Sequence, residues 1–446
     1  MDSQIKTYTY PNGDIQRVQV IRLEEWSKLD FLQMFGSDKA LERFSGIYRD
    51  FLVPSAPWLF GNLIMFRLPS DLSTQLPFET KKFGTVDDRL TAAAAALKDG
   101  VTIISGRPVF RSGAVRSFWQ ALEERNCIRI ISGRLPTTTV IPLGDQCGYL
   151  TKTEKSASLK VNASFFIMDR FDCATVYDHV GTPFGLCVKD GYVTRPPLYS
   201  REALLVDQEG KVSVQPMDIR MLVIEIGGKL YIHGKNATIY TRPRHSRTLA
   251  GKKQALVIIG DRVAAVGSGR LRIPASGFVL CPETVQPISP GDKVLYHGLE
   301  HIRFGIQVGN SILKDGHKTE AFLSPFYNIR RLEPVPYPPS LYPMDFAHAR
   351  AARIALGADK AGKPILLWAE GAAKFGYVPG KGSCGASLSE MAEICADVGM
   401  ENAVNLDGGG SAQILLNNQR YLEISDRNAD DHTEAERPIP FALIVK

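Results

Sequence analysis

The sequence predicts an α+β chain: mixed β-sheets with flanking helices, preceded by a helix-rich N-terminal region. Three observations carry this reading. From Ile128 onward, short β-branched runs follow one another, among them Ile128–Ile131, Leu159–Val161, Ala203–Val206, Met221–Ile226, Lys229–Ile232, Ala255–Ile259 and Arg262–Val266. Turn pairs such as Asp190-Gly191, Glu209-Gly210, Gly227-Gly228 and Gly260-Asp261 separate many of them, the pattern of strands and hairpins. Before them, Leu23–Phe35, Lys39–Phe51 and Val86–Leu97 place apolar residues at helical spacing. After them, a well-signalled helix sits between two strands.

Taken in order, residues 1–100 are expected to form the mixed, helix-rich region and residues 101–446 the sheet-bearing domain. Val115, Phe118, Trp119 and Leu122 make one face of a short amphipathic helix. Pro334–Pro343 holds five prolines and reads as an extended connector. Pro364–Ala369 is a strand. Ser387-Leu-Ser-Glu390 fits a capping box, in which serine and glutamate side chains satisfy backbone donors reciprocally. Leu388, Met391, Cys395 and Val398 then form a buried stripe, and Gly399 ends the helix. Strands follow at Ala403–Leu406 and Ala412–Leu416.

Composition narrows the function classes. Of 446 residues, 44% are hydrophobic and 22% charged, which suits a soluble chain with a sizeable core. A net charge of +6 favours an anionic ligand but is too small to argue for nucleic acid by itself. No apolar run reaches the roughly 18–20 residues that a membrane helix needs. The first residues show no basic segment followed by an apolar core, so a cytoplasmic location is the expectation. Seven cysteines without a C-x-x-C pair agree with reduced thiols and give no zinc spacing.

The most informative segment is Asn405-Leu-Asp407-Gly408-Gly409-Gly410-Ser411. Asp407 ends an apolar strand. Three glycines cost backbone entropy, so the run needs a reason. Glycines permit a sharp reversal, and they let a ligand approach bare N–H groups that can form an anion nest. A carboxylate beside such a nest suits cleavage at a phosphate-bearing carbon. The plain alternative is a tight turn with a solvated aspartate.

Other segments fall in an ordered series: Val161-Asn162-Ala-Ser-Phe165-Phe166, Pro183-Phe-Gly185 to Asp190-Gly191, Ile239-Tyr-Thr241, Ile273–Leu280, Ala352-Arg353-Ile-Ala-Leu-Gly357, and Glu436-Arg437-Pro438-Ile-Pro-Phe-Ala442. Together with Gly385–Glu393 and Gly399–Ala412, this series resembles the phosphodiester glycosidase, or uncovering-enzyme-like, family. The resemblance covers about residues 155–446. It implies an uncovering-enzyme-like catalytic domain within 101–446, and a glycosyl hydrolase acting on a sugar-1-phosphodiester. Departures stand at Ala163-Ser164, at Ala352 and Ile354 beside Arg353, and at Glu370. The family's sugar specificity therefore does not transfer.

On this reading Asp407 and Glu370 are the two carboxylates that glycosidic cleavage commonly uses; a turn-capping aspartate and a surface glutamate are the plain alternatives. His348 is the candidate proton carrier, against a surface histidine. Arg353 suits bidentate phosphate binding, against a structural salt bridge. Asn162 would bond a sugar hydroxyl or cap a turn. The amides of Gly408, Gly409 and Gly410, the Ser411 hydroxyl and Arg247, from the basic cluster Arg242–Lys253, would hold phosphate. The sequence requires no cofactor; Asp426, Asp430 and Asp431 are candidate ligands for a divalent cation, against a plain acidic loop. The expected partner is a sugar-phosphodiester or nucleotide-sugar small molecule, not a membrane. Two other classes stay open: a non-catalytic glycan- or nucleotide-binding protein, and an envelope or virion assembly protein on the same fold.

Overall fold

A computed structural model describes the chain except residues 34–59, 69–85, 126, 135–138, 144–149, 167–182, 198–200, 242–247, 272, 275–276, 320–346, 374–376 and 429–430. The expected helix at 39–51, the proline segment at 334–343, Arg247 and Asp430 lie outside the described residues.

The central element is a seven-stranded antiparallel sheet. Its order is Asp2–Thr9, Ile15–Arg22, Pro364–Ala369, Arg353–Asp359, Met400–Asn405, Ser311–Lys314 and His317–Lys318. Both faces of its central strands are covered. Ile354, Leu356, Leu366, Trp368 and Val404 point into a core shared with Val161, Leu204, Ile306, Ile414 and Leu443 of two neighbouring sheets. The alternate residues Ala355, Ile365, Leu367, Ala369 and Ala403 pack under the helix Leu388–Asp397. Burial on both faces explains why Pro364–Ala369 reads as an unbroken apolar run. A second core, with Leu256, Ile258, Phe278 and Tyr296, fills the sheets formed by residues between 186 and 302.

The helix-rich N-terminal region is overturned. Strand is the main regular structure, and three α-helices occur among the described residues: Val86–Gly100, Gly113–Glu124 and Leu388–Asp397. Residues 2–22 form a hairpin that extends the seven-stranded sheet. Its turn carries Asn12-Gly13, with Gly13 at φ +84° and the Asn12 carboxamide accepting from the Asp14 N–H. Where Leu23–Phe35 was expected to be helical, Trp26–Lys28 is a single 3-10 turn and Leu29–Gln33 is a strand paired with Phe441–Val445. The cause is burial on two sides. Leu29 packs into one cluster and Leu32 against another, so their spacing mimics a helix.

The helices at 86–100, 113–124 and 388–397 agree with their sequence signals. Ser112 caps the second by accepting from the Val115 N–H. Ser387 and Glu390 make the full capping box on the third. Glu390 also takes Arg350, which bonds Asp14 of the hairpin and lies over the Tyr10 ring. One network thus ties the first hairpin to the helix. Burial opposes ionisation of Glu390, but Arg350 and the Ser387 cap outweigh it and hold the carboxyl below its usual range. A depressed folded value stabilises above the unfolded value near 4.5 and is lost as pH falls through the folded one. Glu390→Gln keeps the capping geometry. It is therefore expected to flatten the fall of stability below about pH 4.5, read as melting temperature against pH; an unchanged acid limb would contradict this assignment.

Candidate active site

The site forms where several strands of the large sheet end together. In the ladder, Ala355 faces Asn405. Beyond that last pair the two segments stay side by side, slipping by one residue at the glycine turn. The Leu406 N–H donates to the Ile354 carbonyl at 2.8 Å, and the Gly409 N–H donates to the Ala352 carbonyl at 2.8 Å. Glu370 ends the next strand, where Ala369 faces Arg353. Thus Asp407, Arg353 and Glu370, chosen from separate stretches of sequence, come to one end of one sheet.

Asn162 reaches the same place from a second sheet. Its side chain is buried, donating to the Asp407 carbonyl at 2.7 Å and accepting from the Gln413 N–H at 3.0 Å. Its amide braces the catalytic-candidate turn from below. Asp407 itself is 7% exposed, and its Oδ1 accepts from the Gly408 N–H at 3.0 Å.

The glycine run is a packed turn. Gly409–Ser411 form a 3-10 turn, with Gly409 at φ +59°. The amides of Gly408, Gly409 and Ser411 donate to acceptors within the protein: Asp407 Oδ1, the Ala352 carbonyl and the Gly408 carbonyl. That leaves the expected anion nest with fewer amides than the sequence offered. A Cβ on Gly408 would lie 2.7 Å from the Ala352 carbonyl oxygen. A Cβ on Gly410 would lie 2.3 Å from the Arg437 guanidinium and from both carboxylate oxygens of Asp426. The first and third glycines are thus spaces filled by neighbours, and the second supplies the left-handed reversal.

Arg353 is buried and donates from Nε to the Ala386 carbonyl at 3.0 Å and from Nη2 to the Ala349 carbonyl at 2.8 Å. These bonds make it a strut between residues 349–353 and 386. Glu370 is 1% exposed. One of its oxygens accepts from the Glu423 N–H at 2.7 Å, and the other lies 2.6 Å from Arg17 Nε. That ion pair is off hydrogen-bond angle. Glu370 therefore holds the loop that begins at Glu423. His348 is exposed, one residue before the carbonyl that Arg353 binds.

Sequence reasoning passed over the pair that covers Gly410. Arg437 bonds Asp426 through Nε at 2.9 Å and Nη2 at 2.7 Å, and donates from Nη1 to Ser411 Oγ at 3.3 Å. The sequence offered Asp426 only as a candidate cation ligand and Arg437 only within the final series, and did not join them over the third glycine. Asn405 was also passed over. It is 1% exposed, and neither end of its side-chain amide has a hydrogen-bond partner. No group of three or more metal-ligating side chains is found among the described residues. An open groove of about 440 Å³ lies elsewhere, on Pro108–Phe110, Arg116, Trp119, Gln120 and Glu123, and shares no residue with this site.

Residues 283–446 match the phosphodiester glycosidase family. The matched part is a little over a third of the chain. It contains Arg353, Glu370, Asp407–Ser411, Asp426 and Arg437; Asn162 lies outside it. The mouse N-acetylglucosamine-1-phosphodiester alpha-N-acetylglucosaminidase is 34% identical over 100 residues, which is 22% of this chain and 18% of the mouse protein. The human enzyme is 33% identical over the same shares. The match thus spans about a fifth of these relatives' length. Among solved structures, a hypothetical protein from Synechocystis is 16% identical at TM-score 0.45, over 100% of this chain and 62% of its own. The zebrafish enzyme's catalytic domain, auto-inhibited by its pro-peptide, is 12% identical at TM-score 0.39, over 100% of this chain and 82% of its own.

Proposed function

We propose that this protein is a hydrolase that cleaves a sugar-1-phosphodiester, with its chemistry at the Asp407 turn. The observation that carries the reading is the convergence of Asp407, Arg353 and Asn162 on one sheet end, within and beside the part that matches the phosphodiester glycosidase family.

The chemistry asks little of the protein at the leaving group. A phosphodiester oxygen leaves readily, so the demand falls on the positive charge that develops at the anomeric carbon. A carboxylate held rigidly beside that carbon supplies it. Asp407 is so held: its carbonyl is fixed by Asn162, its Oδ1 by Gly408, and its N–H donates to the Ala163 carbonyl at 3.3 Å. Water adds to the anomeric carbon, the bond from that carbon to the phosphate oxygen breaks, the electron pair leaves on that oxygen, and the water's proton passes by way of the Asp407 carboxylate to solvent. The products are a free sugar and a phosphomonoester.

The substrate is a small sugar-phosphodiester or nucleotide-sugar. Phosphorus NMR on a panel of both tests this directly. Conversion of a diester signal to a monoester signal, with equimolar reducing sugar, is the expected result. Binding without conversion across the panel would favour a non-catalytic binding protein instead.

A further inference from the structure

The two carboxylates chosen from the sequence are unequal in the fold. Both are buried, Asp407 at 7% and Glu370 at 1% exposed, and Glu370 is further committed to Arg17 and the Glu423 N–H. A glycosidase site still needs polar groups that a sugar can touch. The Asp426–Arg437 pair answers that need, with 24% and 29% of the two side chains exposed.

The fold presents this pair deliberately. Glu370 anchors the loop at Glu423, and Leu422 and Ile424 bury into the main core. Arg427 bonds the Ile424 carbonyl and pairs with Glu423 at 2.7 Å, which curls the loop on itself. The Asp426 carbonyl accepts from the Ala435 N–H at 3.0 Å. Ser425 Oγ is buried without a hydrogen-bond partner, close against Gly371. The result sets Asp426 and Arg437 directly over Gly410, three residues from Asp407, where no Cβ fits.

The chemistry of the pair selects its ligand. Its net charge is zero, so it offers an anion little. A carboxylate is acceptor-only and a guanidinium donor-only. Side by side they match a sugar hydroxyl, which both donates and accepts. Arg437 contacts Asp426 through Oδ2, and both carboxylate oxygens and Arg437 Nη2 pack against bare Gly410.

We propose that Asp426 and Arg437 form the sugar-hydroxyl-binding wall of the active site, fixing the sugar whose anomeric carbon meets Asp407. This rests on the hydrolase reading above, and the test separates the two. Wild-type protein, Asp426→Asn, Asp426→Ala and Arg437→Lys are assayed on the best sugar-1-phosphodiester of the panel and on its monodeoxy analogues. Wild type is expected to lose roughly ten- to a hundredfold in kcat/KM on at least one analogue, the worth of a hydrogen bond to a charged group. Asp426→Ala should lose a similar factor on the parent sugar, mainly in KM. It should then discriminate parent from that analogue by no more than about threefold, because the partner is already gone. Arg437→Lys, which keeps the charge and loses the fork, should narrow the discrimination partly.

A variant that keeps wild-type discrimination overturns the proposal. So does a uniform loss on every analogue with a lowered melting temperature, which would make the pair a structural clamp. The near-isosteric Asp426→Asn guards against misfolding of the alanine variant; if both fail to fold, the clamp reading wins. Should wild type turn over nothing in the panel, the hydrolase reading itself has failed.

Discussion

Replacing Asp407 by Asn is expected to lower sugar-1-phosphodiester turnover by about 10²–10⁴-fold while leaving the fold intact. The expectation follows from what the substitution keeps. Asn retains the volume and an oxygen for the Gly408 N–H. The bonds from Asn162 and to Ala163 use the backbone of residue 407 and are unchanged. The charge is lost and one acceptor oxygen becomes an NH2 donor; on the proposed reading that charge serves the carbon on which positive charge develops. Turnover and melting temperature are measured together. Activity within threefold of wild type would remove Asp407 from the mechanism.

The second large effect is expected at Gly408. Its backbone lies at φ −127°, which any residue adopts, so strain is not the reason for glycine. The obstacle is the Ala352 carbonyl oxygen, 2.7 Å from the position a Cβ would take. That oxygen also accepts the Gly409 N–H, so it cannot retreat without breaking the tie between the turn and the Arg353 strand. Gly408→Ala is expected to cost about 1–3 kcal/mol, the range for overpacking a well-packed site. Turnover should fall with it, since Asp407 is the adjacent residue. Gly409→Ala provides the comparison. It meets nothing within 4 Å but must hold φ +59°, at roughly 1–2 kcal/mol. Urea melts of both variants decide between packing and strain. If Gly408→Ala alters neither stability nor turnover, the turn is not packed as described.

How much of this was legible in the sequence depends on the range of each interaction. The capped helix at 388–397 was, because its cap, stripe and stop are local. So were the strands at 203–206, 255–259 and 364–369, whose apolar runs are bounded by turn residues. The first hairpin was not taken as one, although Asn12-Gly13 marks its turn. Its strand Asp2–Thr9 is mostly exposed and polar, so alternation is faint. Leu29–Gln33 misled because two cores take its residues from opposite sides.

The site divides in the same way. Asp407 was found because a strand, a carboxylate and three glycines are contiguous. Glu370 and Asn162 come to the same end of the sheet as Asp407, but their burial was invisible in the sequence. Only the fold shows that one anchors a loop and the other braces a turn. Asp426 and Arg437 are 11 residues apart in sequence and meet only over Gly410. Nothing local joins them, so no spacing rule finds them.

The most direct test of the central claim is a crystal structure of Asp407→Asn with an uncleaved sugar-1-phosphodiester bound. The anomeric carbon should lie within contact of residue 407, with sugar hydroxyls against Asp426 and Arg437. A ligand seated away from the Asp407 turn, for example in the groove beside Trp119, would contradict the account.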